Sequence, residues 1–263
     1  MTEAFPKPSV PASTLIEASI KPSVPASTLI EASIKPSASA SALAEPSPAE
    51  ALATSSVLTS VVLASGNAGK LREFDALFSP LGIRLIAQGT LNIPDAPEPH
   101  PTFLENALAK ARHASLLSGL PALADDSGLC VAALNAEPGI HSARYAEAEH
   151  GSRSDAANNQ KLVRALQGQT NRRAWYVAVL VLVTRHDDPQ PVVAEANWFG
   201  EIVDQPQGAN GFGYDPYFYL PEQGCTAAEL DPALKNQISH RGQALQQLLR
   251  QLAARGLVTA SQP

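Results

Sequence analysis

Hydrophobic and polar positions change rhythm several times along the chain, and each change predicts an element. The apolar run in "SVVLAS" (60–65) has strand length, and Ala68–Phe78 follows as a helix. "IRLIAQ" (83–88) reads as a second strand, followed by a proline-rich loop reaching Pro101. In "TFLENALAKARHASLLSG" the apolar residues Leu104, Ala107, Leu108, Ala111, Ala114 and Leu117 recur at helical spacing. Thr102 fits the cap of that helix, with Glu105 three residues on to complete a capping box. "PALADDSGLCVAAL" reads as strand, acidic turn, strand, and residues 155–166 as a helix. "AWYVAVLVLVTR" and "PVVAEANWFGEIV" are two β-rich runs joined by the polar "HDDPQ", which suits an antiparallel hairpin. "ISHRGQALQQLLRQLAARG" closes the series as an amphipathic helix. Alternating helices and strands with a long hairpin predict an α/β architecture built on a mixed sheet.

Residues 1–56 do not share this texture. "KPSVPASTLIEASI" occupies 7–20 and recurs identically at 21–34, and a third copy starts at Lys35. The segment is rich in proline and Phe5 is its only aromatic, so it cannot bury enough apolar surface to offset its ordering entropy. It is expected to be a disordered tail, neither a secretory signal nor a transit peptide. The expected organisation is therefore a tail at 1–56, one domain at 57–258 and a short tail at 259–263.

Composition narrows the function. A formal net charge of −6 argues against general binding to nucleic acid, which needs a basic surface. It leaves room for a single nucleotide held together with a divalent metal. Cys130 and Cys225 lack metal-type spacing and suggest a reducing compartment without a disulfide framework. No apolar run reaches the length that spans a bilayer, so no membrane partner is expected.

Several short stretches carry candidate chemistry. "VVLASGNAGKLREF" (61–74) resembles a phosphate loop but fails its spacing. Ala64 stands where that loop needs glycine, and Leu71 where it needs Ser or Thr. A strand followed by Ser65, Gly66 and Asn67, then Lys70 at a helix start, still offers backbone N–H groups and an ammonium to an anion. In "ADDSGL" (124–129), Asp125 and Asp126 point to opposite faces if the backbone is extended, so they should not share one role. One of them could hold a metal or orient water, and carboxylate oxygens suit Mg²⁺. "GANGFGYDP" (208–216) combines glycines that allow close backbone approach with Phe212 and Tyr214, whose rings could stack a base. "SHRG" (239–242) reads equally as a helix cap with solvated charges or, with Lys235, as an edge for phosphate or base. His141, Ser142 and Arg144 in "PGIHSARYA" have no nearby acid to complete a hydrolytic triad.

In the order "ASGNAGK", "TFLENALAKAR", "ADDSGL", "PGIHSARYA", "GFGYDP", "TAAEL" and "SHRG", these motifs resemble the inosine triphosphate pyrophosphatase family over roughly 61–256. The resemblance implies an elongated, two-lobed mixed sheet with flanking helices and a substrate cleft between the lobes. It implies Mg²⁺-dependent hydrolysis of ITP, dITP or XTP to the monophosphate and pyrophosphate, by a cytoplasmic homodimer. Ser65, Gly66, Asn67, Ala68, Gly69 and Lys70 would then hold the triphosphate. Asp126 would be proton acceptor and metal ligand, and Ser127 a substrate contact. Phe212, Gly213, Tyr214 and Asp215 would hold the nucleoside, with Lys235, His240 and Arg241 at the base. Ser65 replaces the family's frequent Thr and keeps the hydroxyl. Pro97-Glu98 replaces an acidic pair, which leaves Glu98 or Glu105 to complete the metal shell. A nucleotide sensor without turnover, and a pyrophosphatase for modified pyrimidine triphosphates, are the alternatives.

Overall fold

A computed structural model describes residues 57–66 and 68–258. The expected tails at 1–56 and 259–263, and Asn67, lie outside the described residues. β1 (Ser60–Leu63) is followed by α1 (Ala68–Phe78), β2 (Arg84–Ala87), α2 (Phe103–Ser118) and β3 (Ala122–Val131). Then come α3 (Glu147–His150), α4 (Asp155–Ala165), β4 (Arg173–Val183) and β5 (Val192–Ile202). β6 (Phe218–Leu220), β7 (Cys225–Thr226), α5 (Pro232–Ile238) and α6 (His240–Ala254) follow. The strands form one seven-stranded sheet in the order β2-β1-β3-β4-β5-β6-β7. β1 runs parallel to β2 and β3, and the remaining pairs are antiparallel, so the sheet is mixed as expected.

Side-chain alternation along the strands makes two cores. Leu63, Leu123, Leu180 and Leu182 face α1 and α6, meeting Phe74, Phe78, Leu245 and Leu248. Val62, Val177, Val179 and Val181 face the opposite way, against Ala107, Ala111 and Ala114 of α2. A third cluster joins Leu162 of α4 to Tyr176, Trp198, Phe218 and Tyr214. Small residues let α2 lie close on the sheet, and its sheet-facing stripe is Asn106, Ala107, Ala111, Ala114 and Ser115. Leu104 and Leu117, expected on the apolar face, are instead exposed near the two ends of that helix.

The strand-turn-strand expectation for 121–134 is wrong. β3 runs unbroken through both aspartates, pairing Asp125 with Leu180 and Asp126 with Val179 on β4. Polar residues at mid-strand imitate a turn in sequence. Here the ladder satisfies their backbone, and cations from three helices meet their side chains.

Candidate active site

The site is built from opposite faces of β3. Asp125 and Ser127 point toward α1 and α6, and Asp126 points toward α2, as strand alternation requires. The Asp125 side chain is fully buried. Its Oδ2 accepts from Arg241 Nε at 2.7 Å and lies 3.2 Å from Lys70 Nζ. Arg241 also donates to Glu73 at 2.8 Å and to Ser127 Oγ at 3.3 Å. Lys70 Nζ reaches Ser127 Oγ at 3.4 Å. Burial alone would raise the Asp125 pKa, but Lys70 and then Arg241 outweigh it and hold the carboxyl far below its usual range. Asp125 is thus a permanent anion that orients Lys70 and Arg241.

On the other face, Lys110 of α2 donates to Asp126 Oδ1 at 2.6 Å, to Glu98 Oε1 at 3.2 Å and to the Asp125 carbonyl at 3.1 Å. Arg144 donates to the second Glu98 oxygen at 2.8 Å. Asp126 differs electrostatically from its neighbour. Burial raises its pKa, Lys110 opposes that, and the charges of Glu98 and Asp125 add to the rise. Burial tends to lower the Lys110 pKa, but Asp126 more than compensates and Lys110 stays protonated. Adjacent carboxylates whose pKa values are pushed apart mark one for structure and the other for proton transfer.

Asp126 and Glu98 converge on one ammonium, so both could also face a divalent cation. Among the described residues no cluster of three His, Cys, Asp or Glu side chains forms a closed metal cage. Two carboxylates are what Mg²⁺ ordinarily takes from a protein, the other positions being filled by water and substrate phosphates, so the residues fit such an ion. Glu98 lines the cavity, whereas Glu105 is occupied in the Thr102 cap, accepting from the Thr102 hydroxyl at 2.6 Å.

The cavity above β3 encloses about 1090 Å³. Ser65, Gly66, Gly69 and Lys70 line one end, at the start of α1, where helix N–H groups suit an anion. Ala68 opens that helix. At the other end lie Gly211, Phe212, Gly213, Lys235 and His240. The loop before α5 turns through Gly211 at φ +80° and Gly213 at φ +62°, conformations that favour glycine. Asp215 fastens the loop, accepting from Phe212 N–H at 2.8 Å and Lys235 Nζ at 2.6 Å. Phe212 is 46% exposed. Tyr214, expected to share base stacking, is 4% exposed and donates its hydroxyl to the Ser142 carbonyl at 2.8 Å, so its ring belongs to the core.

Ser239 caps α6, accepting from Gly242 N–H at 3.2 Å, but the two residues after it are not solvated. His240 and Arg241 are both buried. His240 stacks on Tyr176 with ring centroids 4.6 Å apart and 7° between planes. Burial and the Arg241 charge push its pKa well below the ordinary histidine value, so the ring is neutral at physiological pH. Its Nδ1 is buried without a hydrogen-bond partner.

The structure therefore gathers Ser65, Gly69, Lys70, Ser127, Phe212, Asp215, Lys235, His240, Arg241 and Glu98 around one cavity, and Asp126, which does not itself line it, pairs with Lys110, which does. Arg241 binds Glu73, Asp125 and Ser127 on the phosphate-loop side, and its link to the base loop is the Phe212 ring at 5.9 Å. Sequence reasoning missed Lys110, Glu73, Tyr176 and the pairing of Arg144 with Glu98. Lys110 had a signal: it sits on the same α2 stripe as Ala107, Ala111 and Ala114, where an unpaired lysine would be costly.

Known proteins are similar to this chain in sequence and in fold. The chain is 66% identical over 201 residues to the dITP/XTP pyrophosphatase of Bordetella pertussis, covering 76% of this chain and 94% of that protein. The dITP/XTP pyrophosphatase of Ralstonia nicotianae is 62% identical over 192 residues, 73% of this chain and 96% of that one. The HAM1 protein of Coxiella burnetii superposes with a TM-score of 0.71 at 48% identity, covering 75% of this chain and all of that structure. The Staphylococcus aureus Ham1 protein gives 0.67 at 40% identity, over 74% of this chain and 98% of that structure. With the sequence pattern of the Ham1 family matched across residues 61–251, the chain belongs to the Ham1 family.

Proposed function

We propose that this protein hydrolyses purine nucleoside triphosphates with non-standard bases, ITP, dITP and XTP, to the monophosphate and pyrophosphate. The observation that carries the reading is Asp126, a carboxylate of raised pKa held by Lys110 beside Glu98, with Lys110 and Glu98 lining the same cavity as the cationic start of α1. The triphosphate lies along the α1 N-terminus, where Lys70 and backbone N–H groups offset its charge. Asp126 accepts a proton from the attacking water. The water oxygen bonds to the α-phosphorus as the bond to the bridging oxygen breaks, and pyrophosphate leaves. A carboxylate of raised pKa is a better base at neutral pH, and such proton transfer contributes about 10²–10⁴-fold. Lys110 remains charged and stabilises negative charge that develops during transfer.

Asp126 and Glu98 would hold Mg²⁺, which when bound supplies further neutralisation of phosphate charge. At the other end, Phe212 offers its exposed face to the base, and neutral His240 with Lys235 offers polar contacts to a 6-oxo purine. Adenine's 6-amino group would face the Lys235 ammonium with hydrogens of its own. We place the protein in the cytoplasm as a homodimer, a reading supported by the free thiols of Cys130 and Cys225 and by the family resemblance. The test is release of pyrophosphate against orthophosphate from ITP, dITP, XTP, ATP and GTP with Mg²⁺. Orthophosphate as the product would overturn the reading.

A further inference from the structure

The base loop has little shape of its own. Gly211 and Gly213 flank Phe212, and such a sequence has no intrinsic preference that would keep the ring in place. Asp215 holds the Phe212 N–H from within the loop, and the next residue is fixed from outside it. Two side chains of α4 do this, both at Gly213. Asp155 Oδ2 accepts from Gly213 N–H at 2.9 Å, and Asn159 Nδ2 donates to the Gly213 carbonyl at 2.8 Å. One turn of helix places them side by side, an i, i+4 pair on one face. Ser154 sets where that turn begins, capping α4 by accepting from Ala157 N–H at 3.2 Å.

The residue just before Asn159 grips the opposite wall. Asn158 Oδ1 accepts from Ala146 N–H at 2.8 Å, and its Nδ2 donates to the Ser142 and Ala143 carbonyls at 3.3 Å. Arg144, which holds Glu98, lies inside that segment. α4 therefore anchors the loop of Phe212 to the same frame that carries Arg144. A smaller cavity of about 400 Å³, lined by Asp155, Asn159, Gly211 and Phe212, lies beside the loop.

We propose that Asp155 and Asn159 are positioning residues for recognition of the nucleobase. By clamping both backbone polar groups of Gly213 they hold Phe212 against the base, and they bear on the base end of the substrate and not on its phosphates. The proposal rests on the nucleotide reading given above. Asn159 is the cleaner probe. It is only 6% exposed and does not line the large cavity, so it acts through the backbone that it binds.

Calorimetric titration of the full chain with ITP and, separately, with inorganic tripolyphosphate tests it, with Asp155→Ala, Asn159→Ala and Asp155→Asn. The two alanine variants should bind ITP about tenfold more weakly, equivalent to ~1.4 kcal/mol. Tripolyphosphate, which has no base, should bind within about twofold of the unmodified protein, since no base contact is involved. Asp155→Asn retains a carbonyl oxygen as acceptor and should recover most of the ITP affinity. Together the two alanine changes should be less than additive, because both release one residue of the loop. Equal weakening toward ITP and tripolyphosphate, or unchanged ITP affinity in both variants, would overturn the proposal. Asn159→Ala removes a buried side chain; should that variant fail to fold, Asp155→Ala at its exposed position decides by the same two titrations. If the unmodified protein binds ITP without releasing pyrophosphate, the enzymatic reading fails and the affinities still judge the clamp.

Discussion

Lys110→Met isolates the electrostatics at the heart of the site. The substitution keeps most of the side-chain length and removes the ammonium that holds Asp126 at 2.6 Å and Glu98 at 3.2 Å. Breaking a buried pair by removing one partner costs about 3–5 kcal/mol. Here the Asp126 side chain is 13% exposed and Glu98 30%, and Arg144 still neutralises Glu98, so water and that arginine reduce the loss to roughly 2 kcal/mol. For a domain of this size about 2–4 °C is lost per kcal/mol, giving a fall in melting temperature of roughly 4–8 °C at pH 7. The pH dependence is diagnostic. Lys110 is what restrains the rise of the Asp126 pKa, so its removal raises that pKa further. A carboxyl whose folded pKa lies above its unfolded value takes up a proton on folding, and stability then falls as pH rises between the two values. The melting deficit should therefore be largest at neutral pH and shrink on acidification toward pH 4, which scanning calorimetry at several pH values measures. Mg²⁺ should raise the melting temperature of the variant more than that of the unmodified protein, because a cation between the carboxylates replaces the lost ammonium. A deficit below 1 °C at neutral pH, or one that grows on acidification, would refute the reasoning.

Asp126→Asn should leave the fold intact, by circular dichroism, and lower kcat by about 10²–10⁴-fold through loss of the base. Asp125 has the opposite linkage to Asp126: its folded pKa is far below the unfolded value, so its stabilisation is present above about pH 4 and disappears on further acidification. Asp125→Asn should accordingly flatten the acid limb of the stability-pH curve between about pH 4 and pH 2. His240→Ala should slow ITP cleavage more than ATP cleavage, since the neutral ring lines the base end of the cavity, and steady-state kinetics on both substrates measures the ratio.

The strands and helices were largely legible because burial leaves a period in the sequence. β5 alternates buried and exposed over all eleven residues, and β4 is buried along most of its length. Thr102 caps α2 as its spacing required, accepting from Glu105 N–H, although the Glu105 carboxylate takes the Thr102 hydroxyl and not its backbone N–H. β3 was misread for a physical reason. Local propensity sees Asp-Asp-Ser-Gly as a turn, and only the tertiary supply of Lys70, Lys110 and Arg241 allows those carboxylates to sit within a strand. The site shows the same division. Residues in contiguous motifs, such as Lys70 or the 212–215 loop, could be named from the chain alone. Lys110, Glu73 and Asn159 act through partners 16, 168 and 54 positions away, and no local pattern encodes such pairings. Nor does polarity alone reveal burial, which is why His240 and Arg241 read equally well as solvated.

The central claim is that one cavity joins a carboxylate base to a site selective for 6-oxo purines. Its most direct test is kcat/KM for pyrophosphate release from ITP and ATP under identical Mg²⁺. Donors at Lys235 left facing adenine's amino group, with a stacking platform shared by both bases, predict at least about 10²-fold preference for ITP. Equal efficiency toward the two substrates would contradict the account, even with pyrophosphate as the product.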